Sequence, residues 1–257
     1  MDGSSLLPAA RGAALALLLG ACAAPPDVRA VGGVADVQVY DRSTDSLLPT
    51  YWHDGTPYVV GRPGNEYEIR VRNLTRGDLL AVVSVDGVNV VTGETASLHQ
   101  SGYVVNAWGG ATVRGWRKSL AQTAAFYFTS LGDSYAARTG RPVDVGVIGL
   151  ALFARKPRAI TTPLQVAPPE AKDETGARRD QAARASASPP LGTGHGRREE
   201  SRVHWVDFER ATSEPAETIA IYYDSYRNLV AQGVLQVPAS PREPNPFPTG
   251  FAPDPWR

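Results

Sequence analysis

Glu66-Tyr67-Glu68-Ile69-Arg70-Val71-Arg72 is the stretch on which the fold turns. Tyr67, Ile69 and Val71 alternate with charged residues, so an extended backbone places every apolar side chain on one face and every charge on the other. Upstream, Ala35, Val37 and Val39 alternate in the same way with Asp36, Gln38 and Tyr40. Downstream, 79–85 and 143–153 are apolar on both faces, the pattern of strands inside a sheet. Shorter strands are expected at 112–116 and 123–128, and a short helix at 130–138, ended by Gly140 and Pro142. Turn pairs separate these runs, among them Asp54-Gly55, Pro63-Gly64 and Asp86-Gly87. Asp86-Gly87 suits the two central positions of a type I′ hairpin turn, which need positive φ. Many short strands without long intervening helices predict a mainly β chain, an antiparallel β-sandwich with one or two short helices.

The composition agrees and narrows the function. Of 257 residues, 25 are Gly and 21 Pro, while 42% are hydrophobic, enough for a core broken by frequent turns. The 26 basic side chains balance 26 acidic ones. A chain with no basic excess lacks the field that nucleic acid recognition requires, so no nucleic acid partner is expected. One cysteine rules out an internal disulfide and a Cys-rich metal framework.

That cysteine, Cys22, follows the apolar run 12–21, which is too short to span a bilayer as a helix and is laid out like a secretory signal. Leu19-Gly20-Ala21-Cys22 resembles the bacterial lipobox, in which the cysteine becomes the acylated first residue of the mature chain. The resemblance implies a signal peptide over 1–21, a lipidated tether over 22–33 and a membrane partner engaged through the acyl chains on Cys22. Ala23 and Ala24 after the cysteine imply the outer membrane, facing the periplasm.

The body is expected over 34–156. Residues 157–190, rich in Pro, Ala, Ser and charge, read as a flexible linker. Residues 191–235 read as a small extension: strands at 202–208 and 218–224 joined as a hairpin, then a helix at 225–232. It is too small for a core of its own and is expected to pack on the sandwich through Trp205, Phe208, Ile219, Ile221 and Tyr223. Residues 236–257 form a Pro-rich tail. Several strings are similar to an uncharacterised family of bacterial exported proteins: SVDGVNVVTG (84–93), GYVV (102–105), GWRKS (115–119), AAFYFTSLGDSYAARTGRP (124–142), VGVIGLALF (145–153), LGTGHGRRE (191–199) and YYDSYRNLVAQGV (222–234). That resemblance implies a shared architecture and transfers no reaction.

No catalytic set assembles from spacing. His53, His99, His195 and His204 fit no metal-binding spacing, and no motif asks for a cofactor. Ser84 and Asp86 are close in sequence, but the hairpin turn explains them better than catalysis does. Gly194, Gly196, Arg197 and Arg198 are candidate anion-binding residues, through converging N–H groups and two guanidinium forks. Trp52 and Trp108, in or beside turns, are candidate ligand contacts, whereas Trp116 is expected in the core. The expected role is a lipid-anchored cell-envelope scaffold or binding module without enzymatic activity, engaging an envelope protein or a glycan. A carbohydrate- or peptidoglycan-binding module is the alternative, and an envelope hydrolase the third reading.

Overall fold

The computed structural model describes residues 31–157 and 189–236. The signal segment, Cys22, most of the tether and linker, and all but the first residue of the tail lie outside the described residues. In chain order the first strands are β1 (Ala35–Asp41), β2 (Ser46–Leu47), β3 (Thr50–His53), β4 (Thr56–Val60), β5 (Glu66–Asn73), β6 (Leu79–Val85) and β7 (Val88–Asn89). Then come β8 (Tyr103–Val105), β9 (Gly110–Val113), β10 (Gly115–Arg117), β11 (Gln122–Ser130), β12 (Val147–Ala154), β13 (Leu191–Glu200) and β14 (Glu217–Asp224). The helices are α1 (Tyr135–Arg138), preceded by a single 3₁₀ turn at Leu131–Asp133, and α2 (Tyr226–Ala231). No helix among the described residues is long and apolar enough to cross a membrane.

The strands form two seven-stranded sheets. In the first, β5 pairs with β1 along one edge and with β9 and β11 along the other, and β11 also pairs with β10 and β13. In the second, the order is β3-β4-β14-β12-β6-β7, with β8 also on β6. Every pairing is antiparallel except β14 against β4. The main core lies between the sheets, where Val37, Val39, Tyr67, Ile69 and Val71 meet Val83, Val85, Ile148, Leu150 and Ile221. The period-two pattern of β1 and β5 therefore has its expected effect.

The second sheet is apolar on its outer face as well. Leu80, Val82, Ala151 and Phe153 form a separate cluster there, with Val104 and Phe208 packed on it. Tyr58, Leu229 and Leu235 form another where α2 covers β4 and β14. Ser225 caps α2 by accepting the Asn228 N–H, as a serine at that position should.

Several expectations are corrected. The strand read at 143–153 begins only at Val147, and Val143 is 83% exposed. The strand read at 112–116 breaks at Arg114 into β9 and β10, which pair with different neighbours. The 202–208 strand and its hairpin do not form. The strand is the ten-residue β13 instead, built into the first sheet, while β14 enters the middle of the second. Residues 191–235 are thus woven through both sheets. Ile219, Ile221 and Tyr223 are buried, but Trp205 is 72% exposed. The body also begins earlier than residue 34, because Val31 is buried and bridges Val37.

The Asp86-Gly87 turn forms as expected, with φ of 51° and 70° and Val85 opposite Val88. Its carboxylate, however, points inward and is fully buried. Asp86 accepts hydrogen bonds from the Gly146 N–H (2.9 Å), the Thr193 N–H (2.7 Å) and the Tyr223 hydroxyl. Thr193 Oγ1 in turn lies 2.7 Å from the Tyr223 hydroxyl and 2.6 Å from that of Tyr67. One consistent chain runs from Tyr67 through Thr193 and Tyr223 to the carboxylate, each hydroxyl donating once. It ties β5 and β13 of the first sheet to the β6–β7 turn and β14 of the second.

Burial raises the Asp86 carboxyl from 3.8 to about 6, with the Tyr223 and backbone hydrogen bonds pulling the other way. Between those values the native state holds a proton that the unfolded chain has lost, so this group's contribution to stability falls as pH rises. In urea unfolding, the stability of wild type relative to Asp86→Asn should fall by up to roughly 3 kcal/mol from about pH 4 to pH 7. A difference independent of pH would contradict this. Tyr223→Phe, which strips the carboxylate of a buried donor, should cost about 1–3 kcal/mol.

Candidate functional site

After β13 the chain leaves the first sheet and crosses the outer face of the second as an irregular strap, residues 201–210. Both ends are fastened. At the first, Ser201 and Val203 donate their N–H groups to the carbonyls of Ala121 and Leu120, each at 2.8 Å. The Arg117 guanidinium there donates to the Ser201 carbonyl and hydroxyl and to the Tyr103 hydroxyl. At the far end, Arg155 donates to the Asp207 carbonyl (2.8 Å), and Lys156 N–H to that of Glu209 (2.8 Å). Arg210 lies over the Phe153 ring at 3.9 Å and donates to the carbonyls of Leu98 and Gln100. Between these anchors, His204, Trp205 and Val206 make no hydrogen bond to any described residue.

The strap bounds a cleft of about 940 Å³. Leu80 and Val104 belong to its apolar floor; His99, Tyr103, Lys118, Leu120, His204 and Trp205 are among its walls. Four large apolar side chains stand exposed in or beside it: Trp205 (72%), Val206 (46%), Leu120 (44%) and Leu98 (40%). An apolar surface of this kind rimmed by polar groups is characteristic of interaction sites.

The cleft is also electropositive. Arg117, Lys118, Arg155, Arg202 and Arg210 line it, and no carboxylate among the described residues does. Arg155 is paired with Asp78 (3.1 Å) and Arg202 with Glu200. Arg117, Lys118 and Arg210 have no carboxylate partner among the described residues. Burial opposes the charge on Arg210, whose pKa is lowered from its ordinary value. Arg117 and Arg210 already donate to protein acceptors, so Lys118, whose ammonium has no hydrogen-bond partner among the described residues, is the cation most open to an incoming carboxylate or phosphate.

The candidates named from sequence lie elsewhere. Gly194 and Gly196 sit in β13, outside the left-handed region, so their N–H groups do not converge on an anion. With Gly192 they occupy alternate positions and hence one face of the strand. A Cβ on Gly194 would meet the Tyr127 ring at 2.2 Å, and one on Gly192 would meet Ser134 at 2.6 Å. The glycine spacing makes room for neighbours rather than a ligand. Arg197 is held by Glu66 through two hydrogen bonds of 2.8 and 2.9 Å. Arg198 stands exposed opposite Ala124, past a register shift in the β11–β13 pairing.

Trp116 is buried, with its indole N–H donating to the Gly194 carbonyl at 3.1 Å. Trp52, 44% exposed on edge strand β3, lines neither this cleft nor the second concavity, which holds Trp108. Burial lowers the His195 pKa, helped by the positive charge of Lys118, Arg198 and Arg138. No group of three His, Cys, Asp or Glu side chains able to share a metal occurs among the described residues. No family model, curated protein or solved structure matches the chain.

Arg117→Ala should loosen the first anchor of the strap. Limited trypsin digestion should then cut at Arg202 several times faster than in wild type, with a Tm lower by a few degrees. Unchanged cleavage would show that Arg117 does not clamp the strap.

Proposed function

We propose that the chain is an exported bacterial lipoprotein, acylated at Cys22 and held at the outer membrane facing the periplasm. Its sandwich body is a non-enzymatic envelope scaffold or binding module that engages an anionic partner in the strap cleft. The observation that carries the binding role is the cleft itself: three cations without carboxylate partners beside exposed Trp205, Val206 and Leu120. Trp, Tyr and Arg are the side chains most often central to binding energy. The lipid anchor rests on the lipobox pattern, and confinement to a surface would raise the local concentration of envelope partners. The hydrolase reading is weaker, because no carboxylate among the described residues lines the cleft to orient His99 or His204.

Two experiments test the two halves. Cells fed labelled palmitate should yield a labelled protein in the membrane fraction, and Cys22→Ala should yield an unlabelled one that leaves it. An unlabelled wild-type protein would contradict the anchor. Poly-L-glutamate should bind the purified protein with an affinity that falls as salt rises, and Lys118→Glu should weaken it about tenfold. No binding at low salt, or no effect of Lys118→Glu, would contradict the cleft.

A further inference from the structure

The outer face of the first sheet carries a second concavity, separate from the cleft and built by strand register. Asp36 stands opposite Arg72, which stands opposite Gly110; Gln38 stands opposite Arg70, which stands opposite Thr112. Because Gly110 has no side chain, the first row is open at its end, and the sheet has a depression there. Trp108, 62% exposed, stands beside the gap in the turn before β9.

Two features mark this depression as built for a ligand. The first is an exposed aromatic on a constrained backbone. Trp108 has a φ of 59°, which a bulky residue adopts only when its surroundings impose it. Buried Asn73 imposes it here, its side-chain amide donating to the carbonyls of Gly77 (2.8 Å), Val105 (3.1 Å) and Asn106 (3.0 Å). The Trp108 N–H reaches the Thr75 carbonyl, and Asp78 accepts from the Ala107 N–H. These contacts fix the backbone at Trp108 and so the point from which its exposed ring leaves the turn.

The second feature is an unused acceptor. Asp36 Oδ1 is buried and has no hydrogen-bond partner among the described residues. The other carboxylate oxygen has only long contacts, 3.5 Å from the Gln38 amide and 4.0 Å from Arg72 Nε. Oδ1 is closed to solvent, so the weakly held Oδ2, on a side chain 13% exposed, is the acceptor left to a ligand hydroxyl.

We propose that the Trp108 depression binds a neutral saccharide unit. The apolar C–H face of a pyranose would stack on the indole, while its hydroxyls donate to the Asp36 carboxylate and accept from Arg72 and Gln38. Asp36 and Arg72 offset one another and Arg70 is paired with Glu68 at 2.8 Å, so the depression favours a ligand that both donates and accepts over one that carries charge. This site does not depend on the cleft.

Isothermal titration of the full mature chain with chito-, cello- and malto-oligosaccharides tests it. At least one series should bind saturably. Trp108→Ala should weaken that binding at least about tenfold and Asp36→Asn about fivefold, with thermal unfolding unchanged by Trp108→Ala and binding unchanged by Lys118→Glu. The proposal fails if no series saturates at millimolar sugar, or if binding survives Trp108→Ala. It fails also if only polygalacturonate binds and Lys118→Glu abolishes that binding, which would place the glycan in the cleft.

Discussion

The second sheet must be covered on both faces. Its inner face meets the first sheet, but Leu80, Val82, Ala151 and Phe153 leave its outer face apolar too, and water cannot be left against that much hydrocarbon without cost. Helix α2 covers one end of this face. The strap covers the other with Phe208 and the Arg210 guanidinium on Phe153. A ten-residue strap tied at its ends is a narrower cover than a helix or a third sheet, and the cleft is the space it leaves. Packing demand and candidate binding surface thus have one origin.

The strap can lie there only because β13 is fixed in the first sheet. Thr193 is the link: its N–H meets Asp86, and its hydroxyl joins Tyr67 to Tyr223 across the sandwich. A buried charge is expensive unless its hydrogen bonds are satisfied, and this carboxylate accepts three. The network thus joins the hairpin turn of β6 to the two late strands that the long 157–190 segment separates from it in sequence.

How much of this was legible depended on the range of the interactions. Alternation in β1 and β5, the Asp86-Gly87 turn and the serine-capped helix α2 are local patterns, and local patterns survive in sequence. The apolar faces of β6 and β12 were legible as burial, but not what lay on either side. Gly192, Gly194 and Gly196 misled because spaced glycines suit an anion loop and a crowded strand equally; only the position of Tyr127 separates the two. Asp86 read correctly as a turn residue, yet nothing nearby in sequence announced its inward carboxylate, whose partners lie 60 to 137 residues away. The cleft was hidden for the same reason, since Tyr103, Arg117, Arg155 and Trp205 come from four separate segments. Trp108 was legible as a turn residue open to a ligand, while the register that sets Asp36 and Arg72 beside it was not.

The two concavities lie on opposite outer faces of the sandwich and differ in chemistry, one cationic and apolar, the other neutral and polar around a single indole. The strap is the element on which the cleft depends. The most direct measurement is the nuclear Overhauser contact between strap and sheet in solution. If the strap covers the second sheet, the Arg210 side-chain protons will be shifted upfield by the Phe153 ring and show cross-peaks to it, and Phe208 will show cross-peaks to Val104 or Leu80. Arg210 and Phe208 resonances at random-coil positions, without those cross-peaks, would contradict it.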